Sequence, residues 1–439
     1  MDAEPLADGE LAALFAPVSD ARRITLAVSG GADSLALLDA VDRWRRLSGD
    51  APEAVVLTVD HRLRESATGE AERVVAIARE RGLAARLLTW QGPHPAADIE
   101  GAARRARYRL LVGETRLLLA THLLVAHHRD DQAETFLMRL RRGSGVFGLA
   151  AMRSAVRAGD ITILRPFLDL PRTRLAATAA AAGLVPVEDA MNADPRFERA
   201  RLRRIMPLLA AEGFGPEAIV AAAGRMALAA DAIDHAVDRL VAEAVGIDAL
   251  AVASIAAEDF AGAPEAVRRR FLVRLLAAIG GGDYPPPRAR LAALEGAMLA
   301  ARKGARFKRT LAGSVIERRA GRFLAYRESG RAGLPAIALP GGYSGTWDHR
   351  FRVVAPRRGL DGLSLGPLGE SGRRALGLTV EGTPAAALAA LPAIRQGERI
   401  VAVPSVGQGS LVATAHGVTV TPILGERLAE PRRFPDLTD

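Results

Sequence analysis

Cysteine does not occur among the 439 residues. That excludes disulfides, cysteine-ligated zinc or iron–sulfur centres, and any chemistry by a thiolate of this chain. It is also what a cytosolic protein would show. Lysine is almost as scarce and occurs only as Lys303 and Lys308. No run of apolar residues reaches the length of a membrane span; the alanine-rich stretch from Leu175 to Ala182 reads as a short helix. The opening MDAEPLADGELAALF lacks the basic n-region of a secretory signal. The expectation is a cytoplasmic protein with no membrane partner.

What is present is a core-forming composition, 49% apolar and 25% charged, on a chain long enough for two or three domains. The net charge is +9 and nearly all of the positive charge is arginine. Arginine forks suit bidentate phosphate contacts, and a basic balance points to a polyanionic partner such as nucleic acid. Codon bias toward arginine gives the same composition without one.

The first half alternates strand and helix patterns. Strands are expected at Ile24–Val28, Ala54–Val59, Ala85–Trp90, Leu123–Ala126 and Ile161–Pro166, with helices at Ser34–Leu47, Thr68–Arg81, Ala96–Glu114 and Asp131–Arg142. This is the signature of an α/β fold with a doubly wound parallel sheet, whose ligands bind at the carboxyl ends of strands. After about residue 215 the pattern turns helical, with Val267, Phe271, Leu275 and Ile279 at four-residue spacing. A hairpin is expected from Thr310 to Tyr326, turning at Ala320–Gly321. Beyond Arg331 short strands and frequent Gly and Pro indicate a small β-rich unit. The expected domains are 1–215 (α/β), 216–330 (helical) and 331–439 (small and β-rich).

The strongest local signal is Ser29-Gly30-Gly31-Ala32-Asp33-Ser34, between a strand and a helix. Two glycines allow a tight turn and a close backbone approach, and the N–H groups at a helix start form an anion cradle. Asp33 would repel a phosphate unless a cation such as magnesium stood between them. No lysine follows the glycines, so this is not a Walker loop. An ordinary strand-to-helix turn is the plain alternative.

The pattern SGGxDS resembles the pyrophosphate-binding loop of the ATP pyrophosphatase superfamily, whose members cleave ATP between the α and β phosphates to adenylate a substrate. Three further blocks narrow the resemblance: Val59-Asp60-His61-Arg62-Leu63-Arg64 with Ser66, the helix Ile99 to Tyr108 carrying Glu100, Arg104 and Tyr108 at helical spacing, and Ala126-His127-His128-Arg129-Asp130-Asp131-Gln132-Ala133-Glu134-Thr135 followed by Arg142-Gly143-Ser144-Gly145. Together they resemble the tRNA(Ile)-lysidine synthase family, over about residues 24 to 209. Downstream, Glu188 to Asp194 and Arg199 to Arg203 match less well, because Met191 and Ala200 replace the family's serine and asparagine.

The resemblance implies that ATP activates C2 of the wobble cytidine in an isoleucine tRNA with a CAU anticodon. Free L-lysine then attacks, AMP leaves and lysidine forms. It implies ATP contacts from Ser29, Gly30, Gly31, Ala32, Asp33, Ser34, Asp60 and His61, with magnesium on Asp33. Asp131 and Glu134 would bind lysine and take its proton, and His127 or His128 would position the adenylate. Arg104, Tyr108, Arg196, Arg199, Arg201 and Arg203 would contact tRNA. No obligate protein partner is implied. A second basic cluster, Arg302 to Arg327 with Glu317 its single acid, would hold tRNA away from the anticodon.

Plain readings stand beside these. His127 and His128 could be ordinary strand-end histidines, and one of Asp130 and Asp131 could simply cap the following helix. Rival functions are an amide-forming or tRNA-thiolating enzyme of the same superfamily, or a non-catalytic RNA-binding protein. Thiolation is disfavoured by the missing cysteine.

Overall fold

The computed structural model describes residues 3–62, 66–92, 99–187, 198–282, 284–301, 306–330, 333–358, 360, 362–406 and 417–429. The chain divides into two compact units, one running to Ala230 and the other starting at Asp231.

The first unit opens with α1 (Asp8–Phe15) and then alternates β1 (Arg23–Ala27), α2 (Ala32–Leu47), β2 (Glu53–Asp60), α3 (Ser66–Glu80), β3 (Ala84–Thr89), α4 (Ile99–Leu117), β4 (His122–Leu124) and α5 (Arg129–Arg141). A one-turn α6 (Val146–Leu149), the pair β5 (Ala155–Ala158) and β6 (Ile161–Leu164), α7 (Arg172–Ala181), α8 (Glu198–Ala211) and the start of α9 (Pro216–Ala244) follow. The sheet order is β3-β2-β1-β4-β6-β5. All neighbours are parallel except the β5–β6 edge pair. The antiparallel edge strand β5 was not expected, because Ala155–Ala158 carries no apolar run.

Strand alternation sends side chains to two layers. Ala54, Val56 and Leu124 join α1, α2 and α7 in one apolar cluster, with Leu11, Phe15, Trp44 and Leu175 fully packed. Val55, Leu57, Leu123 and Ile163 face the other way and meet Tyr108 and Leu111 of α4. Both faces being covered explains why these strands read as continuous apolar runs. The order reverses between β1 and β4, so their carboxyl ends open a crevice, the place where such sheets bind ligands.

The second unit contains the rest of α9, β7 (Val245–Ile247), β8 (Ala253–Ala256), α10 (Ala257–Gly262), α11 (Glu265–Gly280), α12 (Arg288–Ala300), β9 (Lys308–Leu311), β10 (Ser314–Arg319) and β11 (Arg322–Arg327). Five strands form an antiparallel sheet in the order β7-β8-β11-β10-β9. The segment expected to be helical thus carries a sheet as well. The β10–β11 hairpin turns at Ala320–Gly321 as expected, but Thr310 belongs to a third strand across a second turn at Ala312–Gly313. The C-terminal part builds a four-stranded and a three-stranded sheet from short strands. One apolar core runs from Val237 to Leu428 through this unit.

Candidate active site

The glycine loop follows β1 and Gly31 is the N-cap of α2. Gly30 sits at φ +89°, where a Cβ would stand 3.2 Å from Val74 and 3.3 Å from Val187, so both backbone and packing require glycine. Gly31 differs. Its φ is −71° and an added Cβ would meet only Ser29 Oγ at 3.9 Å. Nothing in the protein demands glycine there, and the space in front of it is open to a ligand. Ser34 Oγ donates to Gly31 O at 2.9 Å and accepts from Ser29 N at 3.1 Å, which fixes the loop. Ala32 opens α2 and contributes its main chain.

Opposite the loop, the strand pairing Leu26↔Leu124 brings residues 127 and 128 level with Ser29 and Gly30. His128 is 1% exposed and lies among carboxylates. Its Nε2 is 3.5 Å from Asp33 Oδ2 and 3.5 Å from Asp131 Oδ2, and its Nδ1 is 3.7 Å from Asp130 Oδ2. Burial opposes a charge on this ring, but Asp33, Asp131 and Asp130 outweigh it and raise its pKa. His128 and Asp131 also cap α5 reciprocally: Asp131 N donates to Nδ1 at 3.4 Å and His128 N donates to Asp131 Oδ2 at 3.2 Å. Asp130 does not cap α5. Its carboxylate accepts from Arg172 N at 2.9 Å, at the start of α7.

His127 has the opposite environment. Loss of water around the ring, then the charges of Arg165, Arg104, Arg199 and Arg107, push its pKa well below 6.5. Arg165 Nε donates to its Nδ1 at 3.3 Å.

Glu134 is 2% exposed. Arg203 Nε donates to Oε1 at 2.6 Å and its second nitrogen lies 3.4 Å from Oε2, while Arg199 Nε is 4.0 Å from Oε2. Burial raises the Glu134 pKa and Arg203 offsets that only in part. Arg203 also lies 4.0 Å from Asp131 Oδ1. Asp33, His128, Asp131, Glu134, Arg199 and Arg203 therefore form one connected group beside the glycine loop.

Several expected site residues are placed otherwise. Asp60 is buried and both its oxygens are engaged, Oδ1 by Arg62 N at 2.8 Å and Oδ2 by Thr68 Oγ1 at 2.7 Å. It organises the turn into α3. His61 stacks edge-on against Trp90 at 6.1 Å. Tyr108 is 2% exposed and belongs to the apolar layer under α4, so its ring offers no stacking face to a base; Arg104 lies over it at 5.4 Å. Arg201 is exposed on α8. Arg196, like Arg302 and Lys303, falls outside the described residues. In the second basic cluster Glu317 holds both Arg319, at 2.5 Å, and Lys308, at 3.6 Å, and Arg327 pairs with Asp348 at 3.1 Å. Those three cations are thus paired within the protein.

Two arginines were missed. Arg172 Nε stands 3.9 Å from Asp33 Oδ1, and Arg165 is buried against His127. The signal for Arg165 was a charge directly after an apolar parallel strand, at the edge where ligands bind.

Asp33 Oδ1 is buried and accepts no hydrogen bond. Magnesium on nucleotide phosphates needs only one or two protein carboxylates, so this oxygen fits such an ion. Among the described residues no three such side chains are arranged to hold a metal ion by themselves. No single described helix is long and apolar enough to cross a membrane.

A loop of open glycine amides at the switch point of a doubly wound sheet, faced by carboxylates, defines the class: residues 4–209 match the PP-loop domain family. The chain is 43% identical to the tRNA(Ile)-lysidine synthase of Rhodopseudomonas palustris over 72% of its own length and 93% of that protein. It is 40% identical to that of Bradyrhizobium diazoefficiens (73% and 94%) and 33% identical to that of Ruegeria pomeroyi (88% and 89%). The chain belongs to the tRNA(Ile)-lysidine synthase family.

Proposed function

We propose that this chain is an ATP-dependent ligase that joins free L-lysine to C2 of the wobble cytidine in isoleucine tRNA with a CAU anticodon, releasing AMP and pyrophosphate. The observation that carries the reading is the meeting of the glycine loop with Asp33, His128, Asp131 and Glu134 across the β1–β4 crevice.

The parts suit the chemistry. A cytosine carbonyl oxygen leaves poorly, so it is first adenylated. The amides of Gly30 to Ser34 stabilise the departing pyrophosphate, an electrostatic task. Asp33 would hold magnesium, which when bound neutralises phosphate charge. Lysine arrives as an ammonium and must lose a proton before it attacks. Asp131 and Glu134 supply carboxylates for it, and the raised pKa of Glu134 brings that group nearer to the range of a useful base. The cytidine leaves the anticodon stack to reach the crevice. Exposed arginines of α8, Arg201 and Arg204 among them, grip the backbone, aided by the segment 216–330. The protein is cytoplasmic.

The test is incubation with ATP, labelled lysine and isoleucine tRNA, followed by mass analysis of the anticodon loop. Lysidine at the wobble position is expected. Entry of ammonia or sulfur in place of lysine would sink the reading in favour of a relative of different chemistry.

A further inference from the structure

His127 and Arg165 follow adjacent parallel strands. The register Leu124↔Leu164 and the bond from Val125 N to Leu164 O at 2.9 Å hold the two segments side by side. Arg165 is 1% exposed, and no carboxylate among the described residues pairs with it. Its guanidinium is pinned instead by neutral groups: Nη1 donates to Arg153 O at 2.8 Å and Nε to His127 Nδ1 at 3.3 Å, while Nη2 is buried without an acceptor. Its own main-chain N–H donates to Ser154 O at 2.7 Å.

An arginine has five donors and no acceptor. The imidazole nitrogen facing Arg165 Nε–H must therefore be the lone-pair nitrogen. On a neutral ring the single proton is then on Nε2. A second proton on Nδ1 would point at a guanidinium, and Arg104, Arg107 and Arg199 add charge of the same sign.

We propose that Arg165 is a positioning residue that locks His127 into the neutral Nε2–H tautomer, so that His127 serves as a fixed hydrogen-bond donor to an anionic substrate oxygen and not as a base. This rests on the ligase reading for the identity of the oxygen, which belongs to the phosphoryl group of the adenylated cytidine. A neutral imidazole N–H in a cationic surround is a strong donor with no proton to lose at neutral pH. The arrangement also divides labour between neighbours: His128 among carboxylates manages positive charge, and His127 among arginines receives negative charge.

The tautomer is read without substrates, on the full chain labelled with 15N-histidine, with the His127 signal assigned by its loss in His127→Gln. An unprotonated Nδ1 and a protonated Nε2 from pH 6 to 8 are expected. An Nδ1–H tautomer, or a doubly protonated ring at pH 7, overturns the proposal whether or not lysine enters tRNA. Absent lysine incorporation by the native chain would instead overturn the ligase reading and leave the tautomer result standing. Kinetics test the donor role. His127→Ala should lower kcat by about 100-fold with little change in KM, the usual loss of one such donor. His127→Gln, which retains an N–H at similar reach, should recover about tenfold of that. Gln no better than Ala, or His127→Glu more active than Gln, overturns it. Arg165→Met should lose the single tautomer in the spectrum and Arg165→Lys should restore it; an unchanged spectrum in Arg165→Met overturns the role of Arg165.

Discussion

Arg165 in the first unit and Arg350 in the second are each 1% exposed, yet their surroundings differ. Arg350 Nε donates to Asp348 at 2.8 Å and Nη2 to Ala390 O at 2.7 Å. Two further arginines of the second unit, buried among the described residues, follow suit: Arg274 meets Asp238 at 2.7 Å and Arg270 meets Asp234 at 2.6 Å. Arg165 has a histidine, a carbonyl and one nitrogen with nothing. A buried guanidinium that serves architecture brings its carboxylate along, because an unpaired buried charge is costly. One left short of partners beside a ligand crevice marks where the fold holds charge for something it will bind. Asp33 differs, since Arg172 and His128 stand near its carboxylate, but its buried Oδ1 accepts no hydrogen bond and is an acceptor left open in the same crevice.

The largest expected effect breaks the site itself. Asp131→Ala and Glu134→Ala should lower lysine incorporation by about 100-fold or more, the scale of a lost acid–base group, while tRNA still binds in a filter assay. Normal turnover in both variants would remove the carboxylates from the mechanism. The next sharpens the contrast between arginines. Asp348→Ala strands Arg350 and should cost about 3–5 kcal/mol in urea unfolding. Arg165→Met removes a charge that has no counterion and should be neutral or stabilising in the same assay while activity falls. Equal losses of stability would erase the distinction.

The glycines extend it to the backbone. Gly30→Ala should cost about 1–2 kcal/mol for its left-handed conformation, plus the clash with Val74 and Val187. Gly31→Ala should leave unfolding unchanged and raise the KM for ATP. The smallest effect separates the two histidines by pH. His128 has a raised folded pKa, so its contribution to stability is full below 6.5 and lost as pH rises through the folded value. His127 is depressed, so its contribution is present above 6.5 and fades as pH falls toward its folded value. Each slope is at most about 1.4 kcal/mol per pH unit. Tm profiles should flatten on the alkaline side in His128→Asn and on the acid side in His127→Gln; the reverse pattern would show the environments assigned the wrong way round.

The α/β half was legible in the sequence because its parallel strands are covered on both faces and read as apolar runs between helices, as at Ala54–Val59 within β2. The edge strand β5 was not, since Ala155-Val156-Arg157-Ala158 buries one side chain and owes its conformation to pairing with β6. Loop and carboxylate positions were readable because their spacing carries chemistry. Their internal pairings were not: Arg203 was expected on tRNA and Glu134 on lysine, and only the packing of α8 beside α5 shows that they bind one another. Tyr108 misled for a related reason. A tyrosine among arginines at helical spacing looks like a base-stacking face, but the α4 stripe that carries it is the one turned to the sheet.

The reciprocal cap at the head of α5 ties the first turn of that helix to the state of one ring. Neutral His128 can accept the Asp131 amide at Nδ1; a proton on Nδ1 abolishes that acceptor and turns the nitrogen toward Asp130. The exchange rate of a single backbone hydrogen, the Asp131 amide, thus becomes a gauge of charge in the crevice. It can be followed by solvent deuteration as ATP, lysine and tRNA are added one at a time, with no label on any of them.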